Sequence, residues 1–459
     1  MTGLSNSAAA IREYDNKHYM HPWEAMWEAD GADRTISARA EGIYIYDQNG
    51  KKLIDGPGGM WCTQVGYGRQ EIADAISEQV MQLSYHSPWN TASAPSAHLA
   101  KKLAELAPGD LNTVFFTTGG STAVDTALRF VHFYNNRLGR PSKKIVISRE
   151  KAYHGSTYLA ASVTGKERSK SWFDVDTDQT HLLPDVNPNL RPQGMDLDTW
   201  CDLKVADLEN AIKELGPENV GAFIAEPILA SGGVIIPPDG YHKKCLDVCH
   251  AYDVLYISDE VVTGFGRLGH WFASEDVYGI VPDMITCAKG LTSGYLPLGA
   301  CLISDRILEP ITGEGQEGVM FSNGYTYSGH PVSCAAALKN IEILERENIL
   351  QHVQDVSPYF LERLHALRAS PIIADTRGVG LVGCVEGRLT SGDESRLALD
   401  QKFGARIDEK CEEMGLIVRP LLNMCVFSPP LVITRQQIDD MFDILARAID
   451  ILEKETGEG

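Results

Sequence analysis

Two short apolar runs, each ending in an ionisable residue, constrain this chain more than any other feature. The first, Val254 to Ile257, leads into Ser258, Asp259 and Glu260, and the second, Met284 to Ala288, leads into Lys289 and Gly290. Runs this short, bounded by polar residues, read as buried strands of a parallel sheet whose carboxyl ends open on a ligand crevice. A carboxylate at one strand end and an amine at the next then face a single ligand. Strand-like runs alternate with helical patterns between 113 and 290, which is the texture of an α/β fold.

The pair has a chemical meaning. A lysine among apolar neighbours loses part of the solvation of its ammonium, so its pKa falls and its amine becomes a nucleophile toward aldehydes, with a Schiff base as the product. A buried carboxylate opposite is costly to leave alone, but a protonated ring nitrogen stabilises it. These are the needs of pyridoxal 5'-phosphate. Taken singly, Asp259 reads equally as a strand-end cap and Lys289 as a solvated surface lysine. In context, DEVVTGFGR from Asp259 and PDMITCAKGL from Pro282 closely resemble the class III, or omega, aminotransferases, nearest to the amine and omega-amino acid:pyruvate transaminases. The resemblance runs over most of the 459 residues.

That resemblance implies a pyridoxal phosphate-dependent transferase of fold type I, the aspartate aminotransferase type. It has a large domain with a mostly parallel sheet and a small α+β domain built from both chain ends. Residues 1–65 are then an N-terminal arm and part of the small domain, 66–330 the large cofactor-binding domain, and 331–459 the C-terminal small domain. The implied reaction moves an amino group from a primary amine or omega-amino acid to a keto acid, with pyruvate expected. Lys289 carries the Schiff base and moves the proton, while Asp259 keeps the ring nitrogen protonated. A decarboxylase or aminomutase of the same fold shares both residues, and a non-catalytic scaffold needs neither.

Other segments supply the rest of the site. Thr113 to Thr117 reads as a strand that breaks into TTGGSTAVDTALRF, and the free N–H groups at the start of the following helix favour an anion. The family more often has Ser-Gly-Ser-Glu-Ala here; this chain has Gly119-Gly120-Ser121-Thr122-Ala123, so phosphate contacts fall to Gly120, Ser121 and Thr122. In AYHGST, Tyr153 offers an aromatic face to the pyridine ring, with His154 and Gly155 shaping the turn. Val261 packs the opposite face, and Glu226, fixed at a strand end by Pro227, contacts the site. Thr326, in GYTYSGHP, resembles a residue of the family loop that crosses a dimer interface to the partner's phosphate, so a homodimer with shared active sites is expected. Trp61, Tyr85, Trp89, Tyr153 and Ser231 are expected to line the substrate pocket. Arg419, in GLIVRPLLN, stands where the family carries an arginine that swings in for a carboxylate and out for an apolar amine. The stretch from Arg419 to Ser428 is shorter than the family pattern.

Composition excludes some partners. With 41 basic and 62 acidic residues the formal charge is -21, which argues against nucleic acid or an anionic membrane. Ten scattered cysteines read as reduced core thiols of a cytoplasmic protein. Cys245, Cys249 and His250 read as one helix face rather than a metal site, so no metal is expected. The N-terminus lacks a secretory pattern, and the longest apolar stretch, Val220 to Pro238, is interrupted by Glu226, Pro227, Gly232 and Gly233, so no membrane span is expected. A hairpin is expected over 42–55, turning at Asn49-Gly50. Helices are expected over 71–83, 97–106, 206–215, 241–252, 331–347, 356–367, 401–414 and 435–454. The stretch from 165 to about 204 has no period and reads as loop.

Overall fold

A computed structural model describes residues 6–24, 34–167, 170–313, 318–388 and 400–456. The helix or arm expected at the N-terminus is a helix, Ala8–His18, capped by Ser7; residues 25–33 of that expected arm lie outside the described residues. Strands β1 (Ser37–Glu41), β2 (Tyr44–Asp47) and β3 (Lys52–Asp55) follow as an antiparallel meander. The hairpin turns where Asn49-Gly50 places it, because Gly50 adopts a φ of 83° and the Asp47 carboxylate accepts the N–H groups of Asn49 and Lys51.

The central sheet comprises β4 (Thr113–Thr117), β5 (Ile145–Arg149), β6 (Thr180–Leu183), β7 (Val220–Ala225), β8 (Leu255–Asp259), β9 (Met284–Cys287) and β10 (Gly299–Ile303). Its order is β4-β10-β9-β8-β7-β5-β6. All neighbours pair in parallel except β10, which runs antiparallel to both β4 and β9. Every residue of β7, β8, β9 and β10 is buried, as expected for strands covered by helices on both faces. Parallel pairing has a consequence for function: β5, β7, β8 and β9 all end on the same rim of the sheet.

A second group of strands, β11 (Ile373–Val379), β12 (Val382–Gly387), β13 (Leu416–Ile417), β14 (Arg419–Leu421) and β15 (Met424–Phe427), comes from the C-terminal part. β11, β12, β15 and β14 form an antiparallel sheet, whereas β13 pairs in parallel with β3, so that both chain ends share one sheet. Helix Pro331–Arg346 packs on helices Gln70–Leu83 and Ala94–Leu106, and one apolar core runs from Ile72 through Ile341 to Phe442.

Two expectations need correction. The stretch from 165 to 204 contains β6 and most of the first half of a helix, Leu197–Leu215, which begins well before Ala206. Asp196 caps it by accepting the Thr199 N–H, and Trp200, Cys201 and Lys204 are buried, a spacing concealed among polar residues. Helix Ile349–Ala366 likewise starts before Val356 and passes through Pro358. The helix Tyr241–Ala251 buries Cys245 and Cys249 on one face; among the described residues no group of three His, Cys, Asp or Glu side chains is arranged to hold a metal.

Candidate active site

The carboxyl ends of the parallel strands bring the expected residues together. β8 and β9 are in register so that Asp259 lies opposite Thr286, and the chain continues from Thr286 to Lys289, the first residue of a short 3-10 turn. Lys289 adopts a φ of 43°, a left-handed conformation that costs about 1 kcal/mol or more for a residue with a Cβ. Surrounding structure must therefore hold the turn. Lys289 as a whole is half-buried, and burial pushes its ammonium below the usual lysine pKa, with Asp259 opposing that fall and Arg419 adding to it.

Asp259 is only 4% exposed, and three donors orient its carboxylate. One oxygen accepts the Val261 N–H and the Thr286 hydroxyl, each at 3.2 Å. The other is 2.7 Å from Nδ1 of His154. An ionised carboxylate can only accept, so Nδ1 donates. Nε2 of a neutral His154 then accepts the Ser148 hydroxyl, 3.1 Å away. His154 thus bonds Asp259 directly, a closer role than shaping a turn. Glu226, also buried, accepts the N–H groups of Tyr153 and Ala230 at 2.9 and 3.2 Å. It fixes the aromatic residue rather than pointing at Lys289 alone, and burial raises its pKa.

Around this centre the phosphate candidates gather. Helix Gly120–Arg137 begins at Gly119 with no capping side chain, so its first N–H groups and its dipole remain available to an anion. A Cβ at Gly120 would lie 2.9 Å from Val261, which explains why the chain must approach bare at that point. Ser121 accepts the Ser156 N–H at 3.1 Å, and a Cβ at Gly155 would fall 2.6 Å from its hydroxyl. The Thr122 hydroxyl is engaged in the turn itself, donating to the Gly119 carbonyl at 2.9 Å. An anion-favouring helix start, an amine of lowered pKa and an anchored carboxylate within one cleft fit a phosphorylated pyridine aldehyde.

The substrate candidates divide. Trp61 is 1% exposed with a φ of 64°, and the Arg419 guanidinium stands 5.7 Å from its ring and touches the Met60 sulfur. Burial lowers the Arg419 pKa. The Ser231 carbonyl accepts the Lys166 ammonium at 2.8 Å, and that ammonium stands 5.9 Å from the centre of the Tyr153 ring. Tyr85, by contrast, donates to the Thr326 carbonyl at 2.7 Å and packs against Tyr327 and His330. Thr326 is exposed and Trp89 is 77% exposed; these side chains form the chain's surface.

A brace behind Lys289 was not read from the sequence, although its arginine, Arg267, ends the motif DEVVTGFGR. Arg267, fully buried, donates to the carbonyls of Leu381 and Pro429 and to the Gln64 side chain. Burial pushes its pKa down to about 9. The Gln64 amide donates to the Phe265 carbonyl at 3.2 Å and presses on Gly290, where a Cβ would meet it at 2.6 Å. The Ser293 hydroxyl accepts the N–H groups of Gln64 and Val65. Both sides of the lysine turn are therefore clamped, which pays for its left-handed residue. Arg267 and Gln64 lie far apart in the chain, and only folding makes them neighbours.

Comparison with known proteins agrees with this geometry. Residues 28–449 match the family described as aminotransferase class-III. A putrescine–pyruvate aminotransferase of Pseudomonas aeruginosa is 39% identical over 94% of this chain and 94% of its own. A chloroplastic gamma aminobutyrate transaminase of Solanum lycopersicum is 38% identical over 100% of this chain and 89% of its own. The crystal structure of an omega transaminase from Pseudomonas jessenii, in complex with PMP, superposes with a TM-score of 0.94 at 34% identity, covering 98% of this chain and 99% of that one. This chain belongs to the class-III aminotransferase family, fold type I, and is a pyridoxal phosphate-dependent transaminase.

Proposed function

We propose that this enzyme transfers an amino group from a primary amine or omega-amino acid to a keto acid, with pyruvate as acceptor, and that Lys289 and Asp259 carry the chemistry. The carrying observation is the pairing of a Lys289 amine of depressed pKa with a three-fold anchored Asp259 at adjacent strand ends. When bound, pyridoxal phosphate supplies the aldehyde that takes up the amine and the pyridinium that accepts the released electron pair. Asp259 would present its carboxylate to the ring nitrogen, and His154 and Thr286 keep that carboxylate oriented. Lys289 Nζ, neutral more often than an exposed amine, takes and returns a proton. The N–H groups of Gly120 and Ser121 would hold the phosphate, and Tyr153 and Val261 would pack against the ring.

The putrescine–pyruvate aminotransferase of Pseudomonas supports pyruvate as acceptor, and Arg419, half-buried beside the Trp61 ring, would serve as the cation for its carboxylate. A homodimer is part of this reading: exposed Thr326, Tyr327 and Trp89 are a surface suited to a second copy, with Thr326 completing the partner's phosphate site. Ten unpaired cysteines, nine of them buried, support a reducing, cytoplasmic setting; no helix among the described residues is long and apolar enough to cross a membrane. The shared β3–β13 sheet supports division at 66–330, with both chain ends in the small domain. A half-reaction panel tests the function: amines are mixed singly with the holoenzyme and the cofactor absorbance is followed, then pyruvate is added. Conversion by amines, reversal by pyruvate and stoichiometric alanine are expected. Carbon dioxide release or a rearranged amine without alanine would replace this reading with a decarboxylase or an aminomutase.

A further inference from the structure

We propose that Arg377 is a positioning residue for the acceptor half of the reaction: it fixes the sheet that carries Arg419 against the turn at 230–234, and so sets where Arg419 meets a carboxylate. The inference rests on the reading of Arg419 as the cation for pyruvate. The two arginines stand at opposite ends of one row. Arg377 on β11 lies opposite Cys384 on β12, Cys384 opposite Val426 on β15, and Val426 opposite Arg419 on β14. Residues paired in this way present their side chains on one face of a sheet, and three strand spacings separate the ends of the row by roughly 14 Å. Between them, Cys384 and Val426 are buried in one apolar cluster with Trp61, Ala230 and Val234. The row therefore lies on the face that meets Trp61 and the turn at 230–234.

At its own end of the row Arg377 is held from both sides. Its side chain is 12% exposed. Nη1 donates to Asp375 and Glu386 at 2.8 and 2.7 Å, and Nη2 meets the Met424 sulfur at 3.2 Å, all within the same sheet. Nε instead crosses to the Gly233 carbonyl at 2.8 Å. A glycine is required at that crossing: its φ is 108°, and a Cβ would fall 2.5 Å from the Met424 sulfur and 3.0 Å from the Arg377 guanidinium. From there the connection runs to the reacting centre. The Ala230 carbonyl accepts the N–H groups of Gly233 and Val234 at 3.1 and 3.0 Å, and the Ala230 N–H donates to Glu226, whose other oxygen accepts the Tyr153 N–H. Asp375 also accepts the Asn189 amide at 2.9 Å, a second crossing. A guanidinium suits this post because its planar fork reaches two carboxylates and a carbonyl at once. Arg419, at the far end, is held by softer contacts, the Met60 sulfur and the Trp61 ring 5.7 Å away. Its place therefore depends on where the sheet as a whole is fastened, and a shift of about 1 Å at a remote support is enough to cost up to about 10²-fold in rate.

The experiment uses the holoenzyme, first charged with an amine, and two three-carbon acceptors, pyruvate and propanal, of which only pyruvate carries a carboxylate. Arg377→Met keeps the apolar stem and removes the fork. It should raise the half-saturating pyruvate concentration about 10-fold with the limiting rate little changed, and shift propanal by less than about twofold. Arg419→Ala should weaken pyruvate at least as much. The double variant should be no worse toward pyruvate than Arg419→Ala alone, because Arg377 acts through Arg419. Arg377→Lys, which can reach the Gly233 carbonyl but cannot span both carboxylates with it, should give a smaller loss confined to pyruvate. That variant carries the test if Arg377→Met does not fold. Equal losses for pyruvate and propanal, or losses at Arg377 and Arg419 that simply add, would overturn the proposal and leave Arg377 a structural ion pair. A pyruvate loss at Arg419 with none at Arg377 would overturn the proposal alone. An unaltered pyruvate response in Arg419→Ala would remove the reading of Arg419 as acceptor cation, and this proposal with it.

Discussion

The floor of the cleft and its rim are built on different principles. On the floor, Asp259, His154, Ser148 and Glu226 are each 5% exposed or less, and each polar group meets a partner supplied by a strand end or the turn after it. In such a network, removing one member strands another at about 1–3 kcal/mol, so geometry is fixed before any ligand arrives. On the rim, Arg419 is half-buried on a long side chain over the buried Trp61 ring, and Tyr85, Trp89 and Thr326 reach the surface. Chemistry common to all donors belongs to the buried, fully partnered floor; discrimination among them belongs to the more exposed rim.

The comparison can be broken at the floor first. Lys289→Ala is expected to lower turnover by about 10³-fold or more, since it removes both the covalent link and the proton carrier. The variant should still fold and bind cofactor through the helix start at Gly120, as equilibrium dialysis would register. Turnover within tenfold of the parent would remove Lys289 from the mechanism. Asp259→Asn comes next, with a fall in kcat of about 10²-fold and a much smaller change in cofactor affinity, because the lost charge acts on the reacting state. Single-turnover kinetics would distinguish this from a binding defect, in which affinity alone would change.

The support of the rim gives a stability effect. Asp408, on helix Phe403–Met414, accepts the N–H of Val418, beside Arg419, and burial raises its pKa to about 6 from 3.8. A carboxyl whose folded pKa is raised costs stability once ionised. The cost is absent below about pH 4, grows through about pH 6 and is complete above it. Asp408→Asn keeps an acceptor for Val418 and should therefore raise stability at pH 8 by about 2 kcal/mol, with the gain vanishing near pH 4. Thermal melts across that range would refute the assignment if the gain were independent of pH. The smallest effect sharpens the contrast: Arg419→Ala should weaken the pyruvate and alanine half-reactions by about 10-fold relative to an arylalkyl amine. Equal losses on both sides would make Arg419 part of the rigid scaffold instead.

The sequence by itself determined the α/β class, the strand runs that carry the site, and the placing of Asp259 and Lys289 at successive strand ends. Each of these is local: a short apolar run, a polar stop, a glycine turn. Tyr153, His154 and the Gly120 turn were legible for the same reason, lying directly after strands. Helix Leu197–Leu215 was only half legible, because its buried face is spaced among acidic residues and its start is a side-chain cap. Tertiary structure alone decided that His154 bridges Ser148 and Asp259, that Arg267 and Gln64 clamp the lysine turn, and that Lys166 joins Ser231 beside Tyr153. Such contacts join residues distant in the chain, and a lone buried arginine or a half-buried lysine looks in sequence like any surface charge. Periodicity encodes which face is buried; it does not encode which polar groups meet once burial has removed water as their alternative partner.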